Sequence, residues 1–345
     1  MITPLEHGFM VFWFVIIMAS MMYYAMLDGF DLGVGMLHLC TKKDNHRRLF
    51  LNAIGPVWDG NEVWLVVFLG GMLAGFPLAY ATLLSALYIP STIIIFALIF
   101  RAVSIEFRSK RPMVWWRSMW DIFFSLGSFL IAFGVGCALG NMIEGLPINE
   151  NREYQGGLIL TFLRPYAILV GIMSVALFLM HGVIFLVMKT DGDLQTQVKK
   201  WVQPALIFFI IMYVTTTMAT LIYQEHIGER FRHIPWFFFI ALANMLVIAN
   251  IPRLVTKGSY GWAFLNSCAN IALLVALYAC SMFPELIRSS LDPSFSLTIT
   301  NSAASVKTFK VLTVIVCIGL PLVIAYISWL YHIFRGKVTL DSHSY

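Results

Sequence analysis

Apolar residues dominate nine stretches of the chain, at 8–40, 58–77, 79–103, 118–141, 165–188, 201–223, 235–252, 262–283 and 311–334. The hydrocarbon core of a bilayer takes about 20 apolar residues of helix, so each stretch predicts a membrane-spanning helix. The second and third are separated only by Phe76, Pro77 and Leu78. Fusing them into one kinked unit would reduce the count to eight. The pattern predicts an all-α integral membrane protein of about nine transmembrane helices, folded as a single polytopic membrane domain over 1–345.

The basic residues decide between nine and eight. Cytoplasmic loops carry an excess of Lys and Arg. With nine spans, one set of alternating loops collects 16 of the 23 basic residues, among them Lys42, Lys43, Arg47, Arg108, Arg111, Lys199, Arg253 and Lys337. Fusing spans two and three would put two strongly basic loops on opposite faces. Nine spans therefore stand, with the N-terminus outside and the C-terminus inside. The longest outer loops, 142–164 and 284–310, are too short for independent domains.

Composition changes the picture only by excluding alternatives. Of 345 residues, 59% are hydrophobic and 12% charged, about half the charge of a soluble domain, so lipid must solvate most of the surface. The basic residues are scattered over short loops and form no patch for nucleic acid. The five cysteines include no CxxC pair. Catalytic triads and Gly-rich phosphate loops are also absent from the sequence.

The informative residues are acids inside apolar stretches. Asp28 and Asp31 are three apart, hence on one helical face, and Gly29 and Gly33 offer a small-residue surface for a neighbouring helix. Asp59 and Glu62 repeat the three-residue spacing at the inner start of the second span. A carboxylate at the centre of a membrane helix costs about 2.5–3.5 kcal/mol or more. The four acids must therefore be shallow, protonated or paired. Arg101, Arg117 and His38 are the candidate partners. Two readings follow: the acids pin helix ends through Arg101 or Arg117, or they line a hydrated path for protons from the cytoplasm, with Asp28 and Asp59 foremost and Asp31 and Glu62 behind. Asp121 reads as a helix-start acid answering the helix dipole. Only His38, His181 and His332 lie in spans, and three isolated histidines make no signal for haem ligation on this chain. No metal-ligand spacing occurs. Trp115, Trp116 and Trp120 read as interfacial anchors.

The segments 28–35 (DGFDLGVG) and 58–64 (WDGNEVW) resemble two signatures of subunit II of the cytochrome bd quinol oxidases. The likeness continues through 100–110 (FRAVSIEFRSK), 116–121 (WRSMWD), Gly140-Asn141, Gly145 to Pro147, Asp292-Pro293 and Pro321, and ends near Gly336. The resemblance implies two four-helix bundles plus a peripheral helix in a respiratory complex of the bacterial cytoplasmic (inner) membrane. That complex would oxidise quinol and reduce dioxygen to water. Its haems b and d and its quinol-oxidising loop would belong to subunit I, the partner of this chain, and this chain alone would not be catalytic. A small accessory subunit is a further partner the resemblance allows. So is a quinone held within this chain, though no motif marks its site. Carried over by position, the resemblance favours Asp28 and Asp59 as members of a cytoplasmic proton path. Glu62 stands where some relatives carry an amide. Two other classes remain: a secondary transporter whose acids bind a cation, and a purely structural subunit whose acids pin an interface.

Overall fold

The computed structural model describes residues 3–157 and 161–340. Helix α1 (Pro4–Leu37) opens with a capping box between Thr3 and Glu6 and carries Pro4 in its first turn, an arrangement that satisfies otherwise orphaned N–H groups. A tight turn, His38–Cys40, leads to the short amphipathic helix α2 (Asp44–Ile54), which buries Phe50, Leu51, Ala53 and Ile54. The chain then returns along α1 as α3 (Trp58–Gly75). The remaining helices are α4 (Pro77–Ala86), α5 (Tyr88–Phe107), α6 (Val114–Glu144), α7 (Pro165–Lys189), α8 (Gly192–Tyr223), α9 (Glu225–His233), α10 (Phe237–Thr256), α11 (Tyr260–Met282) and α12 (Val306–Ile333).

Eight of the described helices are long and apolar enough to cross a membrane: α1, α5, α6, α7, α8, α10, α11 and α12. The second apolar stretch folds as α3, which is not among these eight. Its 18 residues reach about 27 Å at 1.5 Å per residue, but Asp59, Asn61 and Glu62 make its first turns polar. The count of about nine thus agrees with the fold. The third stretch does not have its expected bounds. It divides at Leu87 into α4 and α5, so the crossing helix is Tyr88–Phe107 and not 79–103. Pro90 explains the break: in a continuous helix its ring would strike the carbonyl of Ala86 and leave that carbonyl without a donor. Helix α8 starts earlier than expected because polar turns from Gly192 precede its apolar stretch in the same helix.

Helix α1 packs against α3, α6 and α7, α5 lies on α6, and α7 continues to α8 and α11, with α10 beside α11. Helix α12 lies against α1 and α3, and none of its most apolar window is buried. It is fixed near one end by Trp13, whose indole N–H donates to Thr313 at 3.1 Å, and near the other by Tyr331. The most buried helix is α7, which has no charged residue before Lys189.

The basic loops gather at one end of the molecule. Lys199 lies 5.0 Å from the centroid of the Tyr260 ring, Trp201 packs edge-on against Phe50, and the segment after α12 folds back on α7. Lys337 donates to the carbonyls of Met188 and Thr190 at 2.9 and 2.7 Å, closing the C-terminal end of α7. At the opposite end, Leu146 N–H donates to the Arg288 carbonyl and the Leu146 carbonyl accepts from Ser290 N–H, joining the two long loops. There a small antiparallel ladder pairs β1 (Glu285–Ile287) with β2 (Leu297–Thr298).

Helices α1 and α7 meet backbone to backbone. A Cβ on Gly182 would lie 2.6 Å from Gly33, and a Cβ on Gly33 would lie 2.1 Å from the Phe178 carbonyl. The small-residue surface on α1 is therefore used, and α7 is the helix that fills it. Gly182→Ala is expected to destabilise the protein by about 1–3 kcal/mol through overpacking. Gly8→Ala, where a Cβ meets nothing within 4 Å, serves as the control. A thermal melt of the assembled protein reads the difference.

Candidate functional site

From residue 28 to residue 35, every side of α1 is covered by protein, so Asp28 and Asp31 cannot reach lipid or bulk water. Both are 0% exposed. Arg101, from α5, is the cation that meets them. One guanidinium nitrogen donates to Asp28 Oδ1 at 2.6 Å and lies 4.0 Å from Asp31 Oδ2; the other donates to Glu62 Oε1 at 2.6 Å. Three carboxylates from α1 and α3 thus share one guanidinium whose own exposure is 0%.

Asn61, beside Glu62 on α3, donates from Nδ2 to Asp31 Oδ2 at 2.7 Å, and Tyr331 of α12 donates to Asn61 Oδ1 at 2.9 Å. Tyr24, one turn before Asp28, faces the same carboxylate. Asp28 Oδ2, Asp31 Oδ1 and Arg101 Nε have no protein partner among the described residues. Buried polar atoms of this kind are normally satisfied by water. Counting charges, three carboxylates against one guanidinium leave an excess of two negatives if all are ionised.

Asp59 stands apart. It is exposed and has no hydrogen bond or ion pair among the described residues. Glu62 is intermediate, with a side chain 21% exposed. The polar side chains of α3 and α1 therefore grade from exposed Asp59 through Glu62 to the enclosed Asp28 and Asp31. Arg117 joins none of them: it pairs with Asp44 of α2 at 3.1 Å.

A second ionic centre lies nearer the basic end and was not foreseen. Asp121, on α6, is 1% exposed and accepts from Arg47 at 2.7 Å and from Arg108 Nε at 2.5 Å, with His38 Nε2 also at 2.5 Å. Arg108 continues to Asp44 at 2.8 Å. Asp121 is thus no mere helix-start acid, because it ties the ends of α1 and α5 to α2 and α6. Its three partners, His38, Arg47 and Arg108, come from separate parts of the sequence, and nothing local in the chain signals the junction.

The three histidines within predicted spans are placed as follows. His181 uses both ring nitrogens, Nδ1 with Ser267 at 2.7 Å and Nε2 with the Met26 carbonyl at 2.9 Å, and its ring stacks on Phe264. His38 spends Nε2 on Asp121, and His332 is exposed on α12. No group of three or more metal-ligating side chains occurs among the described residues. Separately, an apolar cavity of about 330 Å³ lies between α1, α6, α7, α8 and α11, walled by Met21, Val170, Phe178, Tyr213, Leu274 and Tyr278.

Comparison with known proteins places this geometry in a family. The family described as cytochrome bd terminal oxidase subunit II matches residues 9–334. Cytochrome bd ubiquinol oxidase subunit 2 of Bacillus subtilis (strain 168) is 33% identical over 330 residues, covering 95% of this chain and 96% of that protein. Cytochrome bd-I ubiquinol oxidase subunit 2 of Escherichia coli (strain K12) is 28% identical, with 95% of each chain covered. The fold is similar to that of a chain in the structure of bd oxidase from Geobacillus thermodenitrificans. The TM-score is 0.79 at 20% identity, covering 95% of this chain and 98% of that one. With nearly its whole length matched, including both acidic segments and Arg101, the chain belongs to the cytochrome bd terminal oxidase subunit II family.

Proposed function

We propose that this chain pairs with a haem-bearing subunit I in the bacterial cytoplasmic membrane, forming a quinol:dioxygen oxidoreductase, and that it supplies part of a proton path from the cytoplasm. The observation that carries the path is the graded exposure from Asp59 through Glu62 to Asp28 and Asp31 around Arg101. Reduction of dioxygen to water consumes protons. An excess of carboxylates over cations in a low-dielectric interior keeps at least one proton on the cluster. Oxygens without protein partners provide places for water to connect the steps.

In this reading the haems of the complex sit on subunit I and supply the electron transfer and the oxygen chemistry; the commitment of His38 to Asp121 and of His181 to Ser267 and Met26 supports it. The basic end of the fold is the cytoplasmic one. An exposed carboxylate such as Asp59 is unsuited to lipid. In this reading subunit I docks along α3, where Val63 and Val66 follow Asp59 with exposed side chains. A quinone held by this chain would occupy the apolar cavity walled by Met21 and Phe178.

The test is quinol-dependent oxygen uptake by the assembled oxidase carrying Asp28→Asn or Asp59→Asn. Uptake is expected to fall by on the order of tenfold or more in Asp28→Asn, the scale for losing a positioned proton-transferring group, and less in Asp59→Asn, where water can substitute. Full uptake with intact haem spectra would reject the path and leave the acids as interface pins. Loss of subunit I from the purified variants would point to the same structural role.

A further inference from the structure

The hydrogen bonds beyond Asp31 lead away from the ion-pair centre. Asn61 Nδ2 donates to Asp31, and Tyr331 donates to Asn61 Oδ1. Asn61 is 1% exposed. Tyr331, near the end of α12, also walls a separate cavity of about 280 Å³ at the basic end, with Asn52, Lys189, Phe334 and Arg335 around it. The amide is therefore held between a carboxylate inside the protein and a tyrosine that lines a cavity of mixed polarity.

We propose that Asn61 and Tyr331 form an amide switch that lets Asp31 gain and lose a proton without stranding a buried polar group. The inference rests on the proton-path reading. An ionised carboxylate only accepts hydrogen bonds, whereas a protonated one carries an O–H that needs an acceptor. An asparagine presents both kinds of group at nearly the same size, and a half-turn of its amide exchanges them. In this structure Nδ2 faces the carboxylate and Oδ1 faces the phenol, the orientation that suits an ionised Asp31. With Asp31 protonated at Oδ2, the turned amide accepts from the new O–H through Oδ1 and donates through Nδ2 to the Tyr331 oxygen. The phenol hydrogen then points into that cavity.

The proton balance is simple. The proton reaches Asp31 through water on the Glu62 side and leaves from the same carboxylate. Asn61 and Tyr331 keep their own hydrogens throughout, so they are positioning residues. An apolar residue at 61 would leave the carboxylate unsatisfied, and a second acid would repel it. The other groups facing the centre are Asp28 and Tyr24 from α1, Glu62 from α3 and Arg101 from α5. From α11, Cys268 lies near Tyr331. On α7, His181 is committed to Ser267 and Met26, and on α6 Asp121 is committed to its own cations.

Infrared difference spectra of the assembled oxidase, taken across a pH titration, test the switch. A protonated-carboxyl C=O band that disappears in Asp31→Asn is expected. A side-chain amide C=O band should change in step with it and be lost in Asn61→Leu. Asn61→Leu should also move the carboxyl midpoint to higher pH, because the ionised form loses more from the missing donor than the neutral form does. Tyr331→Phe should shift the amide band while the carboxyl band remains. If Asn61→Leu fails to assemble, Tyr331→Phe decides alone: an unshifted amide band overturns the switch. An amide band that stays static while Asp31 titrates, or the absence of any Asp31 band, overturns it too. Full oxygen uptake in Asp28→Asn and Asp59→Asn, with the two bands still titrating together, would instead remove the path reading and leave the switch standing.

Discussion

Arg101→Met is expected to prevent accumulation of the assembled oxidase. The substitution leaves Asp28, Asp31 and Glu62 without the one cation that reaches all three, at 2.6, 4.0 and 2.6 Å. Removing one member of a buried ion pair costs about 3–5 kcal/mol because the other charge is stranded, and here three carboxylates are affected. That is a large part of the about 5–15 kcal/mol that holds a domain folded. Arg101→Lys should restore little. Two guanidinium nitrogens contact Asp28 and Glu62 simultaneously, and a single ammonium cannot reproduce that fork. Combining Arg101→Met with Asp28→Asn should recover part of the loss, since it removes a stranded charge. Membrane yield of the complex and its Tm read these outcomes. Normal yield and Tm in Arg101→Met would mean that the acids are already neutral without their partner.

Much of the fold is legible in the sequence because lipid enforces it. Helices crossing a hydrocarbon layer must be long and apolar, and their basic loops must gather on one side. In the third stretch Pro90 is the local signal for the break at Leu87. The site was legible only in part. Spacing of three residues put Asp28 and Asp31 on one face, and both are enclosed because α1 is covered on all sides at that level. The same spacing misleads at Asp59 and Glu62. Residues three apart on a helix still differ by about 60° in direction. On a half-covered helix that is enough to leave Asp59 exposed while Glu62 turns to Arg101. Asn61, between them, reaches Asp31 instead. Tyr331 and the partners of Asp121 were beyond reach, since each contact joins residues far apart in the chain and only the packing of α12, α2 and α6 brings them together. In the sequence Arg117 is a candidate partner for the membrane acids, yet Asp44 of α2 receives it.

Asp121→Asn tests whether that second centre holds the basic end in shape. The carboxylate receives Arg47 and Arg108 and meets His38, and its two oxygens are divided among them. An asparagine keeps one acceptor and turns a donor toward a cation. Arg108, 2% exposed, would keep Asp44 as its only carboxylate. The expected cost is about 3–5 kcal/mol, the range for breaking a buried pair, seen as a lower Tm and faster amide hydrogen exchange in α2. Asp44→Asn is the matched control. Its carboxylate is 44% exposed, so its pairs are worth about 0–1 kcal/mol, and α2 should stay protected. Because α2 feeds directly into Asp59, loosening it should also slow oxygen uptake without removing any acid of the path. If Asp121→Asn melts like the parent and α2 remains protected, the packing of Phe50, Leu51 and Ile54 holds that helix by itself. The ionic centre would then contribute nothing to the geometry at the start of α3.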